Sequence, residues 1–222
     1  MKNKMLAMAM LPVAFSIGMQ AAHAAGEEIQ APVVNPGDTW NYSVIDLWKN
    51  SESNAYEVTA SAGDDAHFIF NIKNRSNSKG ILRSTKELNV CRSLKETSGE
   101  VCSSHFNFPL KIGQKTNFSD LPNASGTSKW AEDCQVAENE KITVPAGTYD
   151  TIRVECSGFW SRTATGASQA VQGRMKELFW YSPDVNRWVR YEIYDWDIGG
   201  AAKSQPLNRY RHELVSYTKA QS

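Results

Sequence analysis

The sequence has no surplus charge: 24 Lys and Arg balance 24 Asp and Glu. A nucleic-acid-binding module needs a clustered basic excess to neutralise phosphates, so that partner class is disfavoured. No C-x-x-C, H-E-x-x-H or H-x-H spacing occurs, which removes the common zinc and dithiol-redox patterns. G-x-S-x-G, the P-loop and G-x-G-x-x-G are also missing, so no cofactor motif is seen. Past the N-terminal segment, no apolar run approaches the roughly 20 residues of a transmembrane helix. Methionine is nearly absent there too, since only Met175 of the six lies beyond residue 19. That excludes a Met-rich, adaptable binding surface. What remains is ordinary globular material, 41% hydrophobic and 22% charged.

Residues 1–24 read as a secretory signal peptide. Lys2 and Lys4 start it, an apolar run follows to about Met19, and Ala22-His23-Ala24 supplies a small-x-small cleavage signature near Ala24. Residues 25–222 then form one β-rich domain, expected in the periplasm or secreted.

All four cysteines lie beyond that cleavage point. An exported chain favours disulfides over thiolate metal sites. Four cysteines allow three connectivities. A hairpin turning at Glu96-Thr97 sets Cys91 opposite Cys102. A hairpin centred on Pro145 sets Cys134 opposite Cys156. The expected bridges are therefore Cys91–Cys102 and Cys134–Cys156, each stapling a hairpin, with no metal.

Alternation with period two dominates the rest. Trp40, Tyr42, Val44, Asp46 and Trp48 share one parity, as do Phe68, Phe70 and Ile72. Stretch 81–94 reads as strand because of its cysteine geometry, although Ile81, Thr85 and Leu88 could share a helical face. Pro109 ends or edges a strand over 105–109. Segment 121–129 reads as a loop, 161–174 as a long loop or weak hairpin, and the last strand runs from about Arg209 to Tyr217. Roughly ten short strands at regular spacing imply an all-β antiparallel meander forming a curved half-barrel, barrel or sandwich. In 178–196 both parities are apolar, so something covers each face of that hairpin.

Three segments carry a resemblance: Phe108-Pro109-Leu110-Lys111-Ile112-Gly113, Val144-Pro145-Ala146-Gly147-Thr148-Tyr149, and Trp180-Tyr181-Ser182-Pro183. Together they resemble a broad set of exported bacterial proteins of unknown function. Those share an FPL-x-x-G segment, a VPAGT-aromatic hairpin and a WY-x-P turn. The resemblance implies a curved antiparallel sheet, loosely like the half-barrel of periplasmic lipoprotein carriers. It implies no catalytic residue, and the four cysteines stand outside it.

Catalytic constellations are not visible. His67, His105 and His212 are far apart in sequence and read as strand or edge histidines. Asp133, Glu138 and Glu140 read as a solvated hairpin face, and Asp195-Trp196-Asp197 beside Gly199-Gly200 as a turn. The aromatic residues are more informative, because Trp and Tyr on both faces of one hairpin exceed what a single core needs. Trp180, Tyr181, Trp188, Tyr191 and Trp196 are the expected ligand-contacting residues, with Arg190 available to an anionic headgroup. The reading is a non-catalytic binding protein for an apolar or amphiphilic envelope component. An aromatic-hairpin module for a protein partner is the alternative, and a hydrolase assembled only on folding the third.

Overall fold

The computed structural model describes residues 28–94, 99–123, 126–162, 170–197 and 206–221. The expected signal peptide (1–24), the expected turn at Glu96-Thr97 and Gly199-Gly200 lie outside the described residues. Among those described there is no helix, and so none long and apolar enough to cross a membrane. The first six strands are β1 (Thr39–Asp46), β2 (Ser51–Ser61), β3 (His67–Asn74), β4 (Lys79–Thr85), β5 (Val90–Ser93) and β6 (Glu100–Cys102). The second six are β7 (Lys115–Pro122), β8 (Ser128–Val144), β9 (Gly147–Arg162), β10 (Val171–Ser182), β11 (Arg187–Asp197) and β12 (Asn208–Thr218).

All pair antiparallel in one sheet, ordered β6-β5-β4-β3-β2-β1-β12-β11-β10-β9-β8-β7. The chain meanders outward, then returns so that β12 pairs with β1. The two free edges, β6 and β7, are consecutive in the chain, and the sheet curls into a nearly closed barrel. The described strands outnumber the ten expected. One reason is that stretch 81–94 divides at Leu88, which takes φ +65°, into β4 and β5. Segment 161–174 is largely strand at both ends, because β9 and β10 extend into it.

Both disulfides are present with the expected pairing, Cys91–Cys102 and Cys134–Cys156. The second depends on an irregularity. The turn is Pro145-Ala146, and register runs from Val144 opposite Gly147 to Glu138 opposite Arg153. Continued unchanged, that register would set Cys134 against Ser157. An extra residue, Ala137, shifts the ladder so that Val136 faces Val154 and Cys134 faces Cys156. Gly147 takes φ +141°, and the Tyr149 ring packs 3.8 Å from where a Cβ would stand.

Residues 103–114 join β6 to β7 and are not a strand, unlike the expectation for 105–109. Ser103 to Phe106, with Leu110, reach into the curl as a plug, while Asn107 and 111–113 stay exposed. The Asn89 side chain accepts from the Phe106 amide (2.9 Å) and donates to the Phe106 carbonyl (2.7 Å), replacing ladder partners. Phe106 and Leu110 are buried, and Phe106 meets Phe179 at 5.4 Å between ring centroids. The N-terminal stretch closes over the plug through paired backbone bonds between Ile29 and Leu110.

The outer face of β10–β11 is covered by the chain itself. Trp180 is 7% exposed and lies between the guanidinium groups of Arg153 (6.0 Å) and Arg190 (5.6 Å). Its indole N–H donates to Glu140 at 2.7 Å. Arg190 donates to the Thr143 carbonyl, and the Ala146 amide to the Leu214 carbonyl. The β8–β9 hairpin tip, with buried Ile142 and Val144, is thereby laid over the second apolar face.

Candidate functional site: the cavity inside the barrel

A cavity of about 410 Å³ lies between the plug and the strands around it. Its walls are the inward-facing residues of the alternating pattern: Tyr56 and Val58 of β2, Phe70 and Ile72 of β3, and Leu82 of β4. Opposite stand Phe106 of the plug, Phe179 of β10, and Trp188 and Tyr191 of β11. Tyr56, Ile72, Leu82, Trp188 and Tyr191 are only half-buried, so the space is reached from solvent. Its size lies within the range of small-molecule sites.

Two polar groups enter this lining in different ways. The first is a cluster. His105 sits on the plug, and its Nε2 lies 3.2 Å from Glu132 of β8 and 3.3 Å from Glu177 of β10. The Tyr191 hydroxyl donates to Glu177. Burial alone would strip the charge from His105, but both carboxylates outweigh it and push the imidazole up to about 9. Burial and the Glu177 charge raise the Glu132 carboxyl. Glu177 is also desolvated, yet its bonds from His105 and Tyr191 hold it below the usual carboxylate range. The cluster thus holds an imidazolium against one firmly ionised carboxylate.

The second is Arg187, at the start of β11. It is 6% exposed, and its guanidinium lies over the rings of Phe70 (4.7 Å), Trp188 (5.3 Å) and Trp40 (5.6 Å). No carboxylate among the described residues forms an ion pair with it, and its Nε–H has no hydrogen-bond partner. Nearby, the Tyr56 hydroxyl is 2.9 Å from Nδ1 of His212. The rings of Tyr56, Trp188 and Tyr191 pack against His212, and desolvation pushes it down to about 4 against the pull of Glu177.

The six residues expected from sequence divide between the two faces. Trp188 and Tyr191 line the cavity. Tyr181 faces the same way but is fully buried against Phe106 and Phe108, outside the lining. Trp180 and Arg190 form the outer stack, with Arg190 paired to Glu213 at 2.9 Å. Trp196 stands on that outer side beside Arg174, in a wider groove of about 650 Å³. Glu138 and Glu140 pair with Arg153, so the suspected solvated face carries an ion-pair network.

Sequence reasoning missed His105 with Glu132 and Glu177, and it missed Arg187. A signal for the glutamates exists. Glu132 shares parity with Cys134 and Val136, and Glu177 with Met175 and Phe179, so each is a charge written into an apolar row. Metal ligation fits this chemistry poorly. Donor groupings here include Cys134 and Cys156, or Cys91 beside His67 and Glu100, and those sulfurs are already spent in disulfides.

No protein-family model matches the sequence, and no curated protein matches it either. Among solved structures, the chain is similar to one described as a "putative lipoprotein" from Parabacteroides distasonis. Identity is 14%, the TM-score is 0.50, and the match covers 86% of this chain and all of that one. A second, from Bacteroides fragilis, is described as a "putative exported protein" with a YmcC-like fold. It shows 10% identity and a TM-score of 0.46 over the same shares of the two chains. What the first of these shares with this protein is its fold.

Proposed function

We propose that this protein is a non-catalytic binding protein, working in the periplasm or outside the cell, for an apolar or amphiphilic molecule of the cell envelope. The observation that carries this reading is the solvent-reached cavity of about 410 Å³ walled by aromatic and aliphatic side chains. An extracytoplasmic setting is supported by the two disulfides. Trp188 and Tyr191 are the sequence-expected residues that would meet the ligand. Native mass spectrometry of protein purified from its own envelope tests this. An added mass that disappears on denaturation is the expected result. A bare protein mass, together with failure to bind any alkyl probe, would defeat the proposal.

A second reading rests on the outer groove, where Phe159 is 59% exposed and lies near Trp196 and Arg174. An aromatic surface of this kind suits a protein partner. Co-purification of a stoichiometric protein lost on Phe159→Ser would favour that reading.

A further inference from the structure

A guanidinium buried without a counter-charge is costly, and proteins normally supply the missing carboxylate themselves. Arg187 has none among the described residues, although it lines the cavity and is 6% exposed. The stacking explains how the cation is held. Its guanidinium carbon lies 4.7–5.6 Å from the ring centroids of Phe70, Trp188 and Trp40. The Tyr42 hydroxyl engages part of its N–H fork, and the donors left over can bind a carboxylate or phosphate with charge-assisted bonds. Nε is one donor of the fork and has no partner. Ser182, directly opposite Arg187 in the ladder, buries a hydroxyl that also lacks one.

Charges elsewhere in the lining point the same way. Glu177 is the one carboxylate among the lining residues, and it is tied up by His105 and Tyr191. The unbalanced charge of the cavity is therefore the positive one at Arg187. Apolar walls from Ile72, Leu82 and Phe179 continue away from it. At roughly 30 Å³ per non-hydrogen atom, about a water's share of liquid volume, the cavity admits about 14 such atoms. That is one alkyl chain with a small head, and too little for a two-chain lipid.

We propose that Arg187 is the anchor for the anionic head of a single-chain amphiphile whose tail fills the aromatic cavity. The inference rests on the binding function proposed above and specifies its ligand class.

Titration calorimetry on the whole protein, below micelle-forming concentrations, tests it with four probes: dodecanoate, dodecyl phosphate, dodecanol and inorganic phosphate. Dodecanoate or dodecyl phosphate should bind at least about tenfold tighter than dodecanol, the margin of a charge-assisted pair. Whichever anion binds tighter identifies the head as carboxylate or phosphate. Arg187→Met should erase the preference for the anions, and Arg187→Lys, which keeps the charge but not the fork, should retain part of it. Circular dichroism and melting checks accompany each variant. If Arg187→Met fails to fold, the wild-type preference and the Lys variant still decide the matter. Equal binding of dodecanoate and dodecanol to wild type would overturn the anchor while leaving the apolar cavity as a binding site. Inorganic phosphate competing as well as dodecyl phosphate would overturn the amphiphile. No binding of any alkyl probe would remove the proposed function itself.

Discussion

His105 and Arg187 are both buried cations facing one cavity, yet the protein treats them in opposite ways. His105 is enclosed by two carboxylates and a tyrosine network. Arg187 is surrounded by aromatic rings and the Tyr42 hydroxyl, with no carboxylate paired to it among the described residues. The same contrast separates the two histidines. Carboxylates push His105 up to about 9, whereas burial among rings drives His212 down to about 4. A neutral imidazole can answer desolvation by giving up its proton, and His212 does. Arginine cannot, so an arginine in surroundings like those of His212 stays charged and waits for an anion. One part of the interior is thus electrostatically complete and the other is not.

The largest expected effect follows from removing the completing partner. Glu177→Ala leaves the His105 charge without its ionised carboxylate and strands the Tyr191 hydroxyl. Breaking a buried pair in this way costs about 3–5 kcal/mol of folding stability. Arg187→Met removes a cation that has no protein carboxylate and replaces it with an apolar chain, so the loss should stay within about 1–2 kcal/mol, the stacking contribution. Urea unfolding of both variants, without ligand, measures the contrast. Equal losses would break it, because they would mean that Arg187 is as fully paired inside the protein as His105.

Acid and alkali should separate the two histidines next. The folded pKa of His105 is raised above the ordinary 6.5, so its stabilisation is complete below about 6.5 and is lost as pH rises through about 9. The slope can reach about 1.4 kcal/mol per pH unit. For His212 the folded pKa is depressed, so its contribution is present above about 6.5 and is lost as pH falls toward 4. The carboxyl of Glu132, raised by burial, works against His212 over the acid range. Differences between wild type and single variants are therefore the readout, from denaturation midpoints between pH 4 and 10. His105→Gln should flatten the alkaline limb and, by releasing Glu177 and Glu132, also alter the acid one, whereas His212→Gln should change only the acid limb. An alkaline limb that His105→Gln leaves unchanged, or that His212→Gln alters, would mean that the opposite charge states assigned to the two rings are wrong.

Local geometry was legible in the sequence, and long-range assembly was not. The disulfide pairs could be read because hairpin register is a short-range property, although the Cys134 hairpin also needed the bulge at Ala137, which no residue pattern announces. Alternation marked Trp40, Tyr42, Phe68 and Phe70 as inward-facing. Apolar residues on both faces of 178–196 showed that a cover was required. Only the fold shows that the cover is the chain's own β8–β9 tip. Trp180 and Arg190, which the sequence offered as ligand contacts, have Glu140, Arg153 and Glu213 as partners in the structure. The His105 cluster draws one residue each from the plug, β8 and β10, so its members become neighbours only when the barrel curls. Arg187 could not be singled out from the other arginines, because what distinguishes it is the lack of a partner in three dimensions.

The smallest effect bears on how His212 stays neutral. Its Nδ1 lies 2.9 Å from the Tyr56 hydroxyl. Burial raises the Tyr56 pKa well above 10, so the phenol keeps its proton and can donate it to a neutral ring. A bond accepted at Nδ1 stabilises the neutral imidazole and helps depress its pKa. Tyr56→Phe should therefore cost only about 0.5–1.5 kcal/mol, the net worth of one hydrogen bond. It should also raise the His212 pKa from about 4 toward 6.5, as followed by NMR of the ring protons. An unchanged pKa would assign the depression to burial alone. A further fall would reverse the bond, making His212 the donor. Either result would place the neutral state of His212 in the surrounding rings, the same rings that leave Arg187 without a counter-ion.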